Sequence, residues 1–240
     1  MRLIFIRHGQ SENNEIWDRT QSNLNRVADP QLTEIGKKQI EATSKFLYFL
    51  FNDENQYISN LSNKYNISGI SLYCSLMDRG IQSGLILSKN LSLPLYGLLD
   101  VHENGGLYLE NPDTNERIGK AGRSAENLKK TYPDLIIPSG INPLGWWNRP
   151  YEERETRRAR ARRVLTELTT KHTNTNDTVL LVSHGGFYNY LLRALLEIKD
   201  DTPSWFVFYN GAITLLEFSE EHLRLVFCNR YDFLPTDLVT

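Results

Sequence analysis

Arg7 and His8 follow directly on the apolar run Leu3-Ile4-Phe5-Ile6 and precede Gly9. A second histidine, His184, follows Thr178-Val179-Leu180-Leu181-Val182-Ser183 and precedes Gly185 and Gly186. Two apolar strands thus each end in a histidine and a glycine. At the carboxyl end of a strand in an α/β sheet, loops line the crevice where ligands bind. Glycine there permits a sharp turn or the close approach of a ligand, because it carries no Cβ. The chemistry that suits these residue types is transfer of an anionic group. Arginine offers planar, paired donors to its oxygens, and neutral imidazole is a nucleophile without negative charge of its own.

The elements that must position these residues follow from the hydrophobic pattern. Strands are predicted over Arg2–Ile6, Gly69–Cys74, Thr178–Val182, Ser204–Tyr209, Ile213–Phe218 and Leu223–Cys228, the first and third as the near-continuous apolar runs of strands covered on both faces. Helices are predicted from Leu32 through Phe51 and over Asp78–Asn90, Tyr151–Lys171 and Gly186–Ile198. Strands alternating with helices predict a three-layer α/β/α sandwich around a mostly parallel sheet. The last two strands, joined by Ser219-Glu220-Glu221-His222, predict an antiparallel hairpin at the sheet edge. Residues 104–150 are rich in glycine, proline and asparagine, contain Trp146-Trp147 and predict no strand. They read as an inserted cap over the active face of one domain spanning 1–240, because so short a segment could hardly bury a core alone.

Composition narrows the function classes. With 240 residues, 40% of them hydrophobic, the chain can bury a sizeable core, and its net charge of −2 gives no overall field to recruit nucleic acid or an anionic membrane. Any anion binding must be local. Two cysteines, Cys74 and Cys228, are too few for a disulfide framework, so reduced thiols and a cytoplasmic setting are expected. No signal peptide or membrane span is apparent. Histidines and carboxylates do not cluster at metal-ligand spacing, so neither a metal nor another cofactor is expected.

Arg7-His8-Gly9-Gln10-Ser11 with Asn14, then Leu32-Thr33-Glu34-Ile35-Gly36, Ser75 with Arg79, Glu103, and Ser183-His184-Gly185 form an ordered series across almost the whole chain. This series resembles the signature of the histidine phosphatase superfamily, also called phosphoglycerate mutase-like. The resemblance implies that His8 is the nucleophile and forms a phosphohistidine. It also implies that Arg7 and Arg79 clamp the phosphoryl oxygens, with Asn14 and Gly185 beside them, and that His184 donates to those oxygens as charge develops. The chain departs from the usual family pattern at Ser75-Leu76-Met77-Asp78-Arg79, where leucine replaces proline and Asp78 places an anion near the clamp. Glu103 stands where the family carries the carboxyl group that protonates the leaving group and later deprotonates water. Its neighbours Asp100 and His102 remain alternatives. Ser11 and Ser183 read as local hydrogen-bonding residues, and His172 and His222 as surface residues.

The arginine-rich segment Arg149–Arg163 admits binding of RNA or phosphorylated protein. Glu152, Glu153 and Glu155 precede several of its arginines at helical spacing, which favours a solvated, salt-bridged helix. Gly105-Gly106-Leu107-Tyr108-Leu109-Glu110 differs from the stretch usual in cofactor-dependent mutases and resembles a phosphatase-like branch. The reading is therefore phosphomonoester hydrolysis, with a mutase-type transfer or a non-catalytic phosphate- or phosphoprotein-binding module as alternatives. A small phosphorylated substrate, or a phosphoprotein, is the expected partner, and the edge strand leaves a homodimer open.

Overall fold

Period-two alternation along the central strands sends side chains to two separate cores. Ile4, Ile6, Leu180 and Val182 belong to one hydrophobic cluster, whereas Leu3, Phe5, Val179 and Leu181 belong to the other. The apolar runs of these strands are buried without interruption, and only Arg2 and Arg7 at the ends of the first are half-buried. The computed structural model describes residues 1–23, 25–52, 69–172, 177–199, 201–219 and 221–240. In chain order its elements are β1 (Arg2–Arg7), α1 (Glu12–Thr20), α2 (Glu34–Asn52), β2 (Ile70–Ser75), α3 (Asp78–Leu91), β3 (Leu95–Leu98), β4 (Tyr108–Glu110), β5 (Arg117–Gly119) and α4 (Ala125–Thr131). There follow β6 (Leu135–Ile136), α5 (Arg154–Lys171), β7 (Thr178–Ser183), α6 (Gly185–Leu195), β8 (Ile213–Phe218), β9 (Leu223–Arg230) and a 3₁₀ turn at Thr236–Leu238.

The main sheet runs β6-β3-β2-β7-β1-β8-β9. The pairs from β6 to β1 are parallel, and the pairs β1–β8 and β8–β9 are antiparallel. One core cluster collects residues of α2 and α3, the other residues of α5 and α6, so helices cover both faces of the sheet. The α/β/α sandwich and its antiparallel edge are as the pattern predicts; Glu220 of the predicted turn lies outside the described residues. In parallel pairing Arg7 faces Ser183, which brings the ends of β1 and β7 to the same level.

Four expectations are corrected. Ser204–Tyr209 forms no strand, because side chains satisfy its backbone: Arg193 donates to the carbonyl of Ser204, Asn189 brackets Phe206, Arg7 donates to the carbonyl of Phe208, and Asn229 accepts from the amide of Tyr209. Residues 104–150 are not devoid of strands. They carry the β4–β5 hairpin and α4, and β6 joins the main sheet against β3. His172 is buried, bonded to Asp177 at 2.8 Å and to Tyr73 at 3.3 Å, whereas His222 is exposed. Arg160 departs from the solvated reading of its helix, being only 2% exposed. No helix among the described residues is long and apolar enough to cross a membrane.

Candidate active site

The loop after β1 is held by backbone packing that only glycines allow. A Cβ on Gly9 would overlap the carbonyl of Gly36, and one on Gly36 would overlap that of Gln10. The start of α2 therefore lies directly on the loop, and Thr33 donates from its amide to the Gln10 carbonyl at 3.0 Å and from Oγ1 to the Gln10 side chain at 2.8 Å. Ser11 caps α1, and Asn14 answers it: Oδ1 of Asn14 accepts from the Ser11 amide at 3.1 Å and from its hydroxyl at 2.9 Å. The structure thus places Asn14 in a capping box, one residue removed from the backbone of His8. Asn210 bridges the two, donating to the His8 carbonyl at 3.0 Å and to Oδ1 of Asn14 at 3.4 Å.

His8, Arg79 and His184 are buried, the two histidines directly after the carboxyl ends of β1 and β7. Nδ1 of His8 lies 2.7 Å from the Gly9 carbonyl, which can only accept, so Nδ1 carries the proton and Nε2 the lone pair. Nε–H of Arg79 donates to that Nε2 at 3.2 Å. Burial first, then the charges of Arg79 and Arg7, hold the His8 pKa well below its ordinary value, so the ring is neutral near pH 7. The His184 ring lies 4.9 Å from that of His8 between centres, tilted 58° to it, and its Nε2 lies 2.8 Å from the Ser75 hydroxyl at the end of β2. Burial and then Arg79 depress its pKa likewise. Burial lowers the Arg7 pKa to about 10, which still leaves a charged guanidinium at neutral pH. Arg7 donates to the Phe208 carbonyl, and the position of a Gly185 Cβ would stand 3.5 Å from its Nε.

Glu103 reaches the same place from the other side. Its carboxylate accepts from the amides of Asn104 at 2.7 Å, Phe187 at 3.0 Å and Gly186 at 3.2 Å, the last two in the first turn of α6. An anion at a helix N-terminus meets unpaired N–H groups and the positive end of the helix dipole. A Cβ on Gly186 would overlap Oε1 of Glu103, so the second glycine after His184 is what admits the carboxylate. Arg7, Glu103, Asn104, Tyr108, Tyr151 and Gly185 are among the residues lining a cavity of about 370 Å³. Asp100 and His102 do not line it. His102 donates from Nδ1 to the Glu103 carbonyl at 2.8 Å and is buried edge-on to Trp147, 4.7 Å between ring centres.

Buried Arg160 braces the Glu103 loop. It pairs bidentately with Glu152, at 2.6 and 2.7 Å, and donates to the carbonyls of Asp100 and His102, each at 2.9 Å. Glu152 in turn bonds Gly105 in both directions, at 3.1 and 3.4 Å. Asp78 does not stand as a free anion beside Arg79, because Arg123 of the inserted segment takes both its oxygens, at 2.8 and 2.6 Å. Asp29 accepts from the Asp78 amide at 2.9 Å, and its pKa is pushed up to about 7, by burial and then by the charge of Asp78.

Sequence reasoning quoted Ser75 beside Arg79 without assigning it a partner, and it missed the parts played by Asp29, Asn210 and the Glu152–Arg160 pair. Only the last left a signal, a glutamate and an arginine eight positions apart before and within a helix. The others are single polar residues with no periodicity around them. The residues brought together are Arg7, His8, Arg79, Glu103, His184 and Gly185, an arrangement of two cations, two neutral imidazoles and one carboxylate around a crevice. Among the described residues no cluster could hold a metal ion.

A family model for the histidine phosphatase superfamily (branch 1) matches residues 3–230. No curated protein matches the chain in sequence. A phosphoserine phosphatase from Entamoeba histolytica, solved with phosphoserine, shares 18% identity at a TM-score of 0.59, over 98% of this chain and 99% of that one. A mycobacterial glucosyl-3-phosphoglycerate phosphatase, solved with VO3, shares 17% identity at a TM-score of 0.55, over 95% and 98%. Likeness at this level of identity is likeness of fold.

Proposed function

The chain belongs to the histidine phosphatase superfamily, branch 1, and from that premise we propose that it hydrolyses phosphomonoesters through a phosphohistidine on Nε2 of His8. The observation that carries the reading is the tautomer of His8: Nδ1–H is committed to the Gly9 carbonyl and a bare Nε2 faces Arg79. In the first step Nε2 attacks phosphorus, the bond to the ester oxygen breaks, and the leaving oxygen takes a proton from Glu103, which enters the step as the carboxylic acid and leaves it as the carboxylate. Water then attacks the phosphohistidine, Glu103 recovers the proton, and the P–N bond breaks to release phosphate and neutral His8. Arg7 and Arg79 balance the phosphoryl charge, with Arg79 exchanging its bond to His8 for one to a phosphoryl oxygen. His184 donates to a further oxygen, a contribution that grows as charge builds in the transition state. In this reading residues 1–240 act as one domain and 104–150 as its cap, and the substrate is a small phosphorylated molecule, in keeping with the phosphatases of like fold.

The test is hydrolysis of p-nitrophenyl phosphate by the wild type and His8→Ala between about pH 5 and pH 8, where an ordinary histidine titrates. We expect loss of more than about a thousandfold in the variant, as for removal of a nucleophile. Intact mass spectrometry without acid quenching should show one added phosphoryl group on the wild type alone. Turnover indifferent to His8 refutes the mechanism. Labelling by a bisphosphate without hydrolysis indicates the mutase-type transfer instead, and binding of phosphate without labelling or turnover a binding module.

A further inference from the structure

Ser75 joins three parts of the site. It ends β2, is fully buried, and packs against the first turn of α3, where a Cβ on Gly80 would stand 3.0 Å from the Ser75 Cβ. Its Oγ accepts from the Met77 amide at 3.3 Å and lies 2.8 Å from Nε2 of His184. Among the described residues these are the partners of the hydroxyl, and the helical turn beside it carries Arg79.

His184 is fully buried too, and burial and then Arg79 keep its ring neutral, so it carries one N–H. It is the N-cap residue of α6, yet its side chain caps nothing, because the amides of Gly186 and Phe187 go to Glu103. Nδ1 of His184 has no partner among the described residues. Two arrangements of the protons are compatible with the 2.8 Å contact between Nε2 and Oγ. If Nε2–H donates to Ser75, the hydroxyl proton and the Nδ1 lone pair are both buried without partners. If the Ser75 hydroxyl donates to Nε2, the His184 proton sits on Nδ1, and that N–H is the single group left over. A buried polar group without its hydrogen bond is costly, so the second arrangement is favoured. It also suits the ligand. An N–H attracts a phosphoryl oxygen, whereas a bare nitrogen would set lone pair against lone pair.

We propose that Ser75 is a positioning residue whose hydroxyl donates to Nε2 of His184, holds the proton on Nδ1, and so makes Nδ1–H the donor to a phosphoryl oxygen. His8 and His184 are then the same tautomer with opposite nitrogens free. In His8 the Gly9 carbonyl takes Nδ1–H and leaves the lone pair of Nε2 for phosphorus, while in His184 the serine takes the lone pair of Nε2 and leaves Nδ1–H for oxygen. The rings are 4.9 Å apart between centres, close enough for lone pair and proton to address one phosphoryl group. A donor fixed before the substrate arrives needs no reorganisation as charge develops. The use of this donor in turnover rests on the phosphatase reading.

The experiment reads the tautomer directly, in long-range proton–nitrogen correlation spectra of the isotope-labelled protein at neutral pH, with the His184 ring assigned through its own backbone. In the wild type we expect the proton on Nδ1, an unprotonated Nε2, and movement of the Nδ1–H resonance on adding inorganic phosphate. Ser75→Ala, checked for folding by its thermal melt, should move the His184 proton to Nε2 in whole or in part. It should also lower kcat/KM for p-nitrophenyl phosphate by about tenfold, the weight of one neutral hydrogen bond. Should that variant not fold, Ser75→Cys, which puts a weaker donor in the same place, should give a mixture of tautomers and a smaller loss. A wild type protonated on Nε2 overturns the proposal, as does a shifted tautomer with kcat/KM unchanged. Loss of turnover with the proton still on Nδ1 marks a purely structural role for Ser75 and overturns it as well. Should the wild type not hydrolyse p-nitrophenyl phosphate, the phosphatase reading fails separately, and the spectra alone decide. Movement of Nδ1–H on adding phosphate, lost in Ser75→Ala, then supports the donor, and no movement overturns it.

Discussion

The Glu152–Arg160 pair can be tested by a double-mutant cycle of Glu152→Gln, Arg160→Met and both together. Arg160 is 2% exposed and makes two bonds to Glu152 and two to backbone carbonyls. Glu152→Gln leaves a buried guanidinium without its counter-charge, a loss of about 3–5 kcal/mol. Arg160→Met leaves the Glu152 carboxylate in that position and also orphans the carbonyls of Asp100 and His102, at about 1–3 kcal/mol each. The methionine side chain keeps some of the contact that the guanidinium makes 4.8 Å from the centre of the Phe187 ring. In the double variant the one cation left beside position 152, among the described residues, is Arg157, 4.0 Å away and still bonded to the Tyr151 hydroxyl and the backbone carbonyl of residue 152, so we expect it to be no less stable than Arg160→Met alone, with a coupling energy of about 3 kcal/mol or more. Urea unfolding at neutral pH measures the four stabilities. Additivity to within about 0.5 kcal/mol refutes the reasoning, because pairs that do not interact behave that way. The pair grips residues 100, 102 and 105 around Glu103. Turnover should therefore fall along with stability, by up to about a hundredfold in kcat for a displacement near 1 Å, while KM changes little.

Asp29 gives a pH signature of opposite sign to that of most paired carboxylates. Its pKa is raised in the folded state from 3.8 to about 7, so its contribution to stability is full below about pH 4 and is lost as the pH rises through about 7; Asp29→Asn, which keeps an acceptor for the Asp78 amide, should flatten the stability profile between about pH 4 and pH 7, and an unchanged profile by urea unfolding refutes the assignment. Gly106→Ala should destabilise by about 2–5 kcal/mol, because Gly106 has φ of +73° and a Cβ there would overlap the Trp147 indole. A loss below about 1 kcal/mol in the same unfolding assay would show that the inserted segment yields easily around Trp147.

How much of this was legible depended on range. The alternation of Leu3, Ile4, Phe5 and Ile6 between two cores, and the endings of β1 and β7 in histidine and glycine, can be read from the chain because each depends on neighbouring residues and on strand periodicity. Ser11 as a helix cap is local in the same way. Ser204–Tyr209 misled because its residues have strand character while its hydrogen bonds go to side chains distant in sequence, those of Arg7, Asn189, Arg193 and Asn229. His172 and Arg160 were misread for a related reason: polar type predicts exposure unless a buried partner exists, and Asp177, Tyr73 and Glu152 are partners that only packing identifies.

The sequence by itself determined the strand–helix alternation, the places where strands end in catalytic-type residues, and the family signature in order along the chain. These are properties of residue type and short spacing, which backbone geometry converts directly into position. Only the tertiary structure decided that Nε2 of His8 is the bare nitrogen, that Gly186 admits Glu103 to the start of α6, and that Arg123 neutralises Asp78. Each of these depends on the distance and direction between groups that the chain brings together from far apart. Hydrogen bonding, burial and charge act through that distance, whatever the separation along the sequence.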